Sequence, residues 1–415
     1  MFELAKVWGW VKKNFNSRDW LFIGVIVILF FATRLVNLEK FPIFTDEGIY
    51  INWAKIAWKD ATWRFISLTD GKQPLHIWGI IPFLKLFPEN PLLAGRLFSV
   101  ATGFGALVGT YVTLFYLWGK KAANWGLVFY VFTPFFLFYD RMALIDSGVN
   151  MFFIWTLFFS ILLVRTMRLD VALMMGFVAG FGLLAKSSSK MFVALSALSP
   201  ILIWEKSLKK WLGETVNFAF LFVIVLFLSV LIYNVQRLSP FLHFVAEKNK
   251  TFVRTVPELL QNPFESLYGN LKLIPLYTSW ESAFVLILIA VLGFYLLFKK
   301  DWRLAVYLAS WIVLPYVAIA FFAKVIFPRY LIFFGSIFLI LASYYLSQVK
   351  KGLLVTSLIV LYILSVAYFD YTILYAHRNI PFPEVDRGQY IEGTSSGFGV
   401  KEIMDIGEKN QKKNR

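Results

Sequence analysis

Two acids stand side by side just after the first long apolar run, in Phe41-Pro42-Ile43-Phe44-Thr45-Asp46-Glu47-Gly48-Ile49-Tyr50. An acid at such an edge is costly unless it pairs or acts. Behind it Ile49, Trp53, Ile56 and Ala57 recur at helical spacing. Two roles are therefore open for this pair. Thr45 or Asp46 caps the helix, or Asp46, with Glu47 beside it, is a carboxylate held as a general base. The next polar cluster is Asp70-Gly71-Lys72-Gln73-Pro74-Leu75-His76-Ile77-Trp78. Lys72 precedes a Pro-bounded helix start, with the Trp78 indole below it. It is suited to hold a phosphate with help from the positive helix end, or it is a lysine reaching from an apolar surface to water. His76 reads more simply as an interfacial polar residue than as a ligand.

Three later turns carry similar groups. Tyr139-Asp140-Arg141-Met142-Ala143-Leu144-Ile145-Asp146-Ser147 joins two apolar segments. Its Arg141 and Asp146 form either a structural ion pair or two groups that face a substrate. Gly182-Leu183-Leu184-Ala185-Lys186-Ser187-Ser188-Ser189-Lys190, and Lys324 with Phe327-Pro328-Arg329-Tyr330, are either ordinary polar turns or sources of cations for a leaving anion. The chain has no cysteine and three histidines, so no disulfide framework or thiol nucleophile is available. A divalent metal on converging carboxylates stays open but is not the expectation. No phosphate-cradling glycine loop is present, which argues against a nucleotide-sugar donor and against nucleotide-driven transport.

The elements that must position these groups are membrane helices. Of the 415 residues 59% are hydrophobic and 16% charged, with mean hydropathy +0.67. A soluble chain carries about 25% charged residues. Runs of the length needed to cross a bilayer predict about eleven spans: 20–36, 91–118, 122–138, 147–164, 171–185, 191–204, 217–235, 280–298, 303–323, 330–347 and 352–374. The first is read as a retained signal-anchor helix. Segment 75–87 is too short to span and is placed as a helix on the membrane surface.

Short loops rich in Lys and Arg mark the cytoplasmic side. They are Lys120–Lys121, Arg165 with Arg168, Lys206 with Lys209–Lys210, Lys299–Lys300 with Arg303, and Lys350–Lys351, on the side of Lys6, Lys12, Lys13 and Arg18. The net charge of +16 follows from this and from a site for an anionic lipid, and nucleic acid is not the expected partner. Loops 37–90 and 236–279 and the tail then lie outside, together with Asp46, Lys72, Asp146, Lys186 and Arg329. The expected organisation is a helical membrane domain over 1–375, with surface helices in 37–90, and a short extracytoplasmic tail over 376–415 that looks like a truncated outer domain.

The order Asp46-Glu47, then Lys72-Gln73-Pro74-Leu75-His76-Ile77-Trp78, then Arg96-Leu97 resembles the GT-C glycosyltransferases of the protein O-mannosyltransferase and lipid A aminoarabinose transferase class. That class has an Asp-Glu pair in its first outer loop and, in the transferase branch, a Lys-Pro-Pro-Leu-x-x-Trp motif. Here Gln73 takes the place of the first proline. Arg141 to Asp146 is similar to the second acidic site of the class. Gly182 to Lys186 resembles its Gly-Leu-x-x-x-Thr-Lys turn, and Tyr390 to Gly399 a tyrosine- and glycine-bearing segment after the last helix.

The resemblance implies an all-α GT-C architecture in a cell membrane. It implies an inverting transfer of a sugar from a polyprenyl-phosphate donor to the hydroxyl of a lipid, glycan or protein acceptor. Asp46, Glu47 and Asp146 become the catalytic candidates, and Lys72, Arg141, Lys186 and Arg329 the candidates for the donor phosphate. His76, Trp78, Tyr330 and Tyr390 become candidates for other substrate contacts. The alternative class is a secondary transporter or lipid flippase with buried ions as a relay, for which matched halves with interrupted helices are expected; no such repeat is visible.

Overall fold

The computed structural model describes residues 14–205, 207–350 and 352–400. Lys6, Lys12, Lys13, Lys206, Lys351 and the end of the expected tail, 401–415, lie outside them. Among the described residues the chain is helical, and one isolated antiparallel bridge, Val253 to Ala323, is its sole β contact. In chain order the first helices are α1 Ser17–Leu35, α2 Thr45–Lys59, α3 Leu75–Leu86, α4 Pro91–Trp118, α5 Lys120–Phe132, α6 Pro134–Tyr139, α7 Ile145–Thr166, α8 Leu169–Ala185 and α9 Ser189–Ser196. They are followed by α10 Leu208–Tyr233, α11 His243–Phe252, α12 Val256–Gln261, α13 Leu267–Glu281, α14 Val285–Lys300, α15 Trp302–Phe322, α16 Ile332–Gln348, α17 Leu353–Tyr375 and α18 Glu384–Arg387.

Among the described residues six helical segments are long and apolar enough to cross a membrane: Pro91–Trp118, Ile145–Thr166, Leu208–Leu238, Trp302–Phe322, Pro328–Gln348 and Leu353–Tyr375. They become seven if the bent pair α13 and α14 counts as one. The other expected spans fall on helices that are shorter, broken or charged near their ends. Expected span 122–138 breaks at Thr133, because Pro134 opens α6 and drives the residue before it into extended backbone. The 280–298 run breaks between α13 and α14 at 105°, where Ala283 and Phe284 both take positive φ. Neither residue is a glycine, so this turn stores strain. The 191–204 run ends its α-helix at Ser196 and continues as a 3-10 turn through Pro200. Helix α3 has 12 residues, about 18 Å, well short of a hydrocarbon core.

Burial sorts the helices. Of the span windows, 83% of Pro328–Gln348 and 78% of Ile145–Thr166 is buried, against 17% of Leu208–Leu238. The first two form the centre. The last presents Phe220, Val223 and Phe227 outward, as a lipid-facing helix does. Helices α4 and α7 pack closely because small residues line the contact. Gly105 lies against Met151 and Gly109 against Ile154 and Trp155, and Gly103 lies directly against the Asp140 carboxyl in the turn before α7, with no room for a Cβ.

Two buried ion pairs knit the extramembrane turns to these helices. Arg34, near the end of α1, meets Asp140 at 3.2 Å, and its other donors reach the Val131 and Tyr130 carbonyls. Glu47 and Arg96 form a bidentate pair at 2.9 and 2.8 Å, both side chains fully buried. Arg96 also donates to the carbonyls of Leu38, Phe41 and Pro42. Removing one partner of such a pair strands a charge in low dielectric. Glu47→Ala is therefore expected to cost about 3–5 kcal/mol, read as a large fall in melting temperature, while Glu89→Ala at an exposed position leaves it unchanged. Equal melting temperatures for the two variants would remove this pair from the foundation of the fold.

Candidate active site

Helix α2 starts where the chain turns back after α1. Its cap is neither Thr45 nor Asp46. The Glu47 carboxylate accepts from the Phe44 backbone N–H at 2.9 Å and from Ala143 N–H at 2.6 Å. With the cap supplied by Glu47, the Asp46 side chain points into a cavity of about 730 Å³. One turn further on, Tyr50 lines the same wall.

Lys72 reaches this cavity from the turn that ends the 3-10 segment Ile66–Asp70. The turn needs Gly71, which sits at φ +66° with the backbone of α11 pressed against its Cα; a side chain there has neither the conformation nor the space. Lys72 Nζ lies 3.7 Å from Asp46 Oδ1 and 3.7 Å from Asp70 Oδ2, and 4.8 Å above the Tyr50 ring. Arg329, from the 3-10 turn that leads into α16, donates to the other Asp46 oxygen at 3.1 Å. Asp46 is thus flanked by two cations, with its side chain 23% exposed to the cavity.

Asp146 enters from the first turn of α7 and pairs with Lys186 Nζ at 2.7 Å. Lys186 is the residue that ends α8 in extended backbone, and its ammonium lies 4.2 Å above the Tyr330 ring. His76 lines the cavity from α3, its Nε2 3.2 Å from the Ala143 carbonyl and its ring edge-on to Tyr50. Burial pushes His76 down to about 4, so the imidazole is neutral at physiological pH and acts as a wall.

Seven of the eleven residues expected at the site therefore line one cavity: Asp46, Asp146, Lys72, Lys186, Arg329, His76 and Tyr330. Four lie elsewhere. Glu47 is locked on Arg96. Arg141 turns away from Asp146 and donates to the Thr33 and Arg34 carbonyls at the end of α1, where a cation meets the free carbonyls of a helix C-terminus. Trp78 uses its indole N–H on the Arg64 carbonyl and holds the 61–70 loop. Tyr390 is fully buried behind Arg329, whose Nη1 donates to its hydroxyl at 3.2 Å.

Asp70, Tyr50, Lys248 and Asn249 line the cavity without having been expected at the site. Lys248 reaches Asp70 at 2.6 Å, and Asn249 and Gln73 both donate to the Ser187 hydroxyl. These bonds seal α11 over the cavity edge. Asp70, two residues before Lys72, and Tyr50, four after Asp46, stand within the motifs themselves. The α11 pair arrives from a loop some 180 residues away and is placed by tertiary packing. The lining holds five cations (Lys72, Lys186, Lys190, Lys248, Arg329) against three carboxylates (Asp46, Asp70, Asp146), and the rest is largely apolar, including Ile49, Val149, Phe252 and Phe333. Such a space accepts an anion attached to an apolar group. Among the described residues no three His, Cys, Asp or Glu side chains are placed to share a metal ion.

Residues 71–233 match the family model described as dolichyl-phosphate-mannose-protein mannosyltransferase, which takes in Lys72, His76, Asp146 and Lys186. No curated protein sequence matches the chain. ArnT from Cupriavidus metallidurans bound to undecaprenyl phosphate is similar in structure, with TM-score 0.59, 15% identity and coverage of 81% of this chain and 61% of that one. Its apo state gives TM-score 0.53 at 16% identity, covering 83% and 61%. The Archaeoglobus fulgidus oligosaccharyltransferase in complex with Zn and sulfate gives TM-score 0.55 at 11% identity, covering 86% and 52%. The chain therefore spans about three fifths of the length of ArnT. By its helices, its cavity and these likenesses, the chain is a multi-pass membrane protein with the GT-C fold of membrane glycosyltransferases.

Proposed function

We propose that this chain transfers a sugar from a polyprenyl-phosphate donor to an acceptor hydroxyl, at the outer face of the membrane and with inversion at the anomeric carbon. The observation that carries this reading is Asp46 between Lys72 and Arg329 at the wall of a cavity both cationic and apolar. Asp46 takes the proton of the acceptor hydroxyl. The hydroxyl oxygen forms a bond to the anomeric carbon, the bond from that carbon to the phosphate oxygen breaks, and the phosphate leaves with the electron pair. Lys72 and Arg329 share their charge between Asp46 and the departing phosphate, and Lys186 adds a third positive group. Asp146 holds Lys186 in place. The apolar lining suits the first isoprene units of the carrier. The solved structure of ArnT with undecaprenyl phosphate, a protein of the same fold, supports a carrier of this kind.

The outer-face assignment is supported by where the basic loops gather. Lys120 pairs with Asp19, Lys121 donates to the Ser347 carbonyl and Lys300 to Gln348. Ser347 and Gln348 end α16, whose opposite end carries the cavity residues Ile332 and Phe333, and Lys300 precedes α15, whose cavity residue Ile319 lies near its far end, as expected of a cytoplasmic face. The chain contains no cysteine, so single cysteines report orientation. Lys121→Cys is expected to react with an impermeant maleimide only after the membrane is opened, and Glu89→Cys to react in intact cells. The opposite pattern would invert the map.

Asp46→Asn keeps the shape of the site and removes the base. Turnover is expected to fall by about 10²–10⁴-fold with the melting temperature within a degree or two of the parent. Near-normal turnover would take the base role from Asp46. A double-mutant cycle separates the partners of Asp146. Asp146→Asn and Lys186→Gln are expected to be non-additive in kcat/KM by about 0.5–3 kcal/mol, whereas Asp146→Asn and Arg141→Gln add. Coupling to Arg141 instead of Lys186 would overturn the pairing on which this role for Asp146 rests.

A further inference from the structure

The segment from Tyr390 to Gly399 has no part in the transfer scheme above, although it touches the groups that surround Asp46. Contacts remote from the cavity hold it there. Trp280 Nε1 donates to the Pro381 carbonyl at 2.6 Å, and the Tyr139 hydroxyl donates to Asp386 Oδ2 at 2.6 Å. The chain then makes one wide turn over Gly388–Glu392, closed by the Gly393 N–H on the Gly388 carbonyl at 2.8 Å. A side chain at Gly393 would collide with that carbonyl. Single turns with this five-residue closure are rare and gather at functional sites. This one carries Tyr390 inward.

Tyr390 is fully buried, and its ring packs on Phe44 and Phe138 with centroids 4.8 and 5.1 Å away. A phenylalanine would fill the same space, so packing alone does not account for the hydroxyl. A buried hydroxyl needs a partner, and this one accepts from Arg329 Nη1 at 3.2 Å. The other arm of the guanidinium, Nη2, donates to Asp46 Oδ2 at 3.1 Å. The rings of Phe44, Phe327 and Tyr330 lie 5.3, 5.2 and 5.5 Å from the guanidinium carbon. They attract the cation but offer no acceptor atom that fixes its plane. A planar fork held at both arms has one orientation, whereas a fork held at one arm can swivel.

Further along, the tail meets the backbone that carries Asp46. The Ser395 carbonyl accepts from the N–H and from the hydroxyl of Thr45, each at 3.1 Å. Gly397, at φ +70°, lies so close to the Ile43 carbonyl that no Cβ fits. The tail therefore fixes both sides of the Asp46–Arg329 contact, the carboxylate through its backbone and the guanidinium through Tyr390.

We propose that Tyr390 is a positioning residue for the transfer reaction, clamping Arg329 so that one arm stays on Asp46 while its charge faces the departing phosphate. The inference rests on the reading of Asp46 as the base. Tyr390 does not line the cavity and acts only through Arg329. The phosphate gains charge as its bond to the anomeric carbon breaks. A cation turned out of place therefore weakens the transition state more than it weakens donor binding, and the loss falls on kcat.

The test uses the full chain in nanodiscs with undecaprenyl-phosphate-linked hexose or pentose, whichever the parent turns over. Tyr390→Phe is expected to lower kcat roughly 10- to 100-fold, with donor KM within about twofold. In an Asp46→Asn background the same change should cost only about twofold, because the base to be positioned is gone. Phe382→Leu loosens the packing around Tyr390 and keeps its hydroxyl. It is expected to lower the melting temperature and to leave kcat within about twofold of the parent. An unchanged kcat in Tyr390→Phe, a loss confined to KM, an equal loss in both backgrounds, or an equal loss in Phe382→Leu overturns the proposal.

The orientation of Arg329 is read without turnover by nitrogen NMR of labelled arginine side chains in the same nanodiscs. In the parent Nη1 and Nη2 of Arg329 are expected as separate resonances, identified by their loss in Arg329→Lys. They should merge in Tyr390→Phe, where the fork swivels, and stay apart in Phe382→Leu. Merged resonances in the parent, or separate ones in Tyr390→Phe, overturn the clamp. Absence of transfer by the parent would count against the transferase reading alone, because the NMR measurement does not depend on it.

Discussion

The structure hangs on the Glu47–Arg96 pair. Arg96 has five N–H donors, and all find acceptors: two on Glu47 and three on the carbonyls of Leu38, Phe41 and Pro42. Glu47 in turn takes the backbone N–H groups of Phe44 and Ala143. Complete saturation is what makes such a pair tolerable, since removing two charges from water costs several kcal/mol per ion before any is returned. One pair thereby fixes the first loop, the start of α4 and the turn before α7. Asp46 and Asp146 stand one residue and three residues from its two anchor points, Glu47 and Ala143. Their separation across the cavity is set by this knot rather than by either loop alone.

Exposure divides the charged groups into two kinds. Arg34 with Asp140, and Glu47 with Arg96, are ion pairs whose side chains show no exposure at all. Asp46 and Lys72 keep 23% and 26% of their side chains accessible, and Lys186 keeps 25%. The first kind is fully committed to protein partners. The second has oxygens and N–H donors left over, on the side that faces the cavity. In a low-dielectric pocket those unspent groups interact with an entering anion more strongly than the same groups do in water. The split is graded, since Arg329 and Asp146 line the cavity with only 8% and 4% of their side chains exposed.

Much of this was legible in the sequence, but unevenly. The span 91–118 coincides with α4, and the basic loops at one end were identified by composition alone. The breaks were less legible. Pro134 signals its own kink, whereas the 105° bend at Ala283–Phe284 has neither proline nor glycine to announce it. At the site, neighbouring acids were the difficulty. Residues 46 and 47 lie about 100° apart on a helix, so the two meet different surroundings. Which is which depends on Arg96, 49 residues further on. Asp146 posed the same problem. Its local turn offers Arg141, yet the partner is Lys186, 40 residues away, because Arg141 is drawn to the carbonyls that end α1. Sequence spacing identifies groups able to act; tertiary packing assigns their partners.

The grip on Asp46 shows why a site like this needs the whole chain. Three segments meet there: the Lys72 turn, the Arg329 turn with Tyr390 behind it, and the Ser395 carbonyl on the neighbouring Thr45. They are far apart in sequence, so none can form before the helices between them have packed. A carboxylate held by one flexible loop would sample many orientations, and each immobilised rotor has an entropic cost. Here that cost is met during folding, through contacts remote from the cavity. The carboxylate is then already oriented when a substrate arrives, the condition under which positioned groups lower a barrier most. The tail, held to α6 by the Tyr139–Asp386 hydrogen bond and to α13 by Trp280 on the Pro381 carbonyl, closes the grip from the far end of the chain.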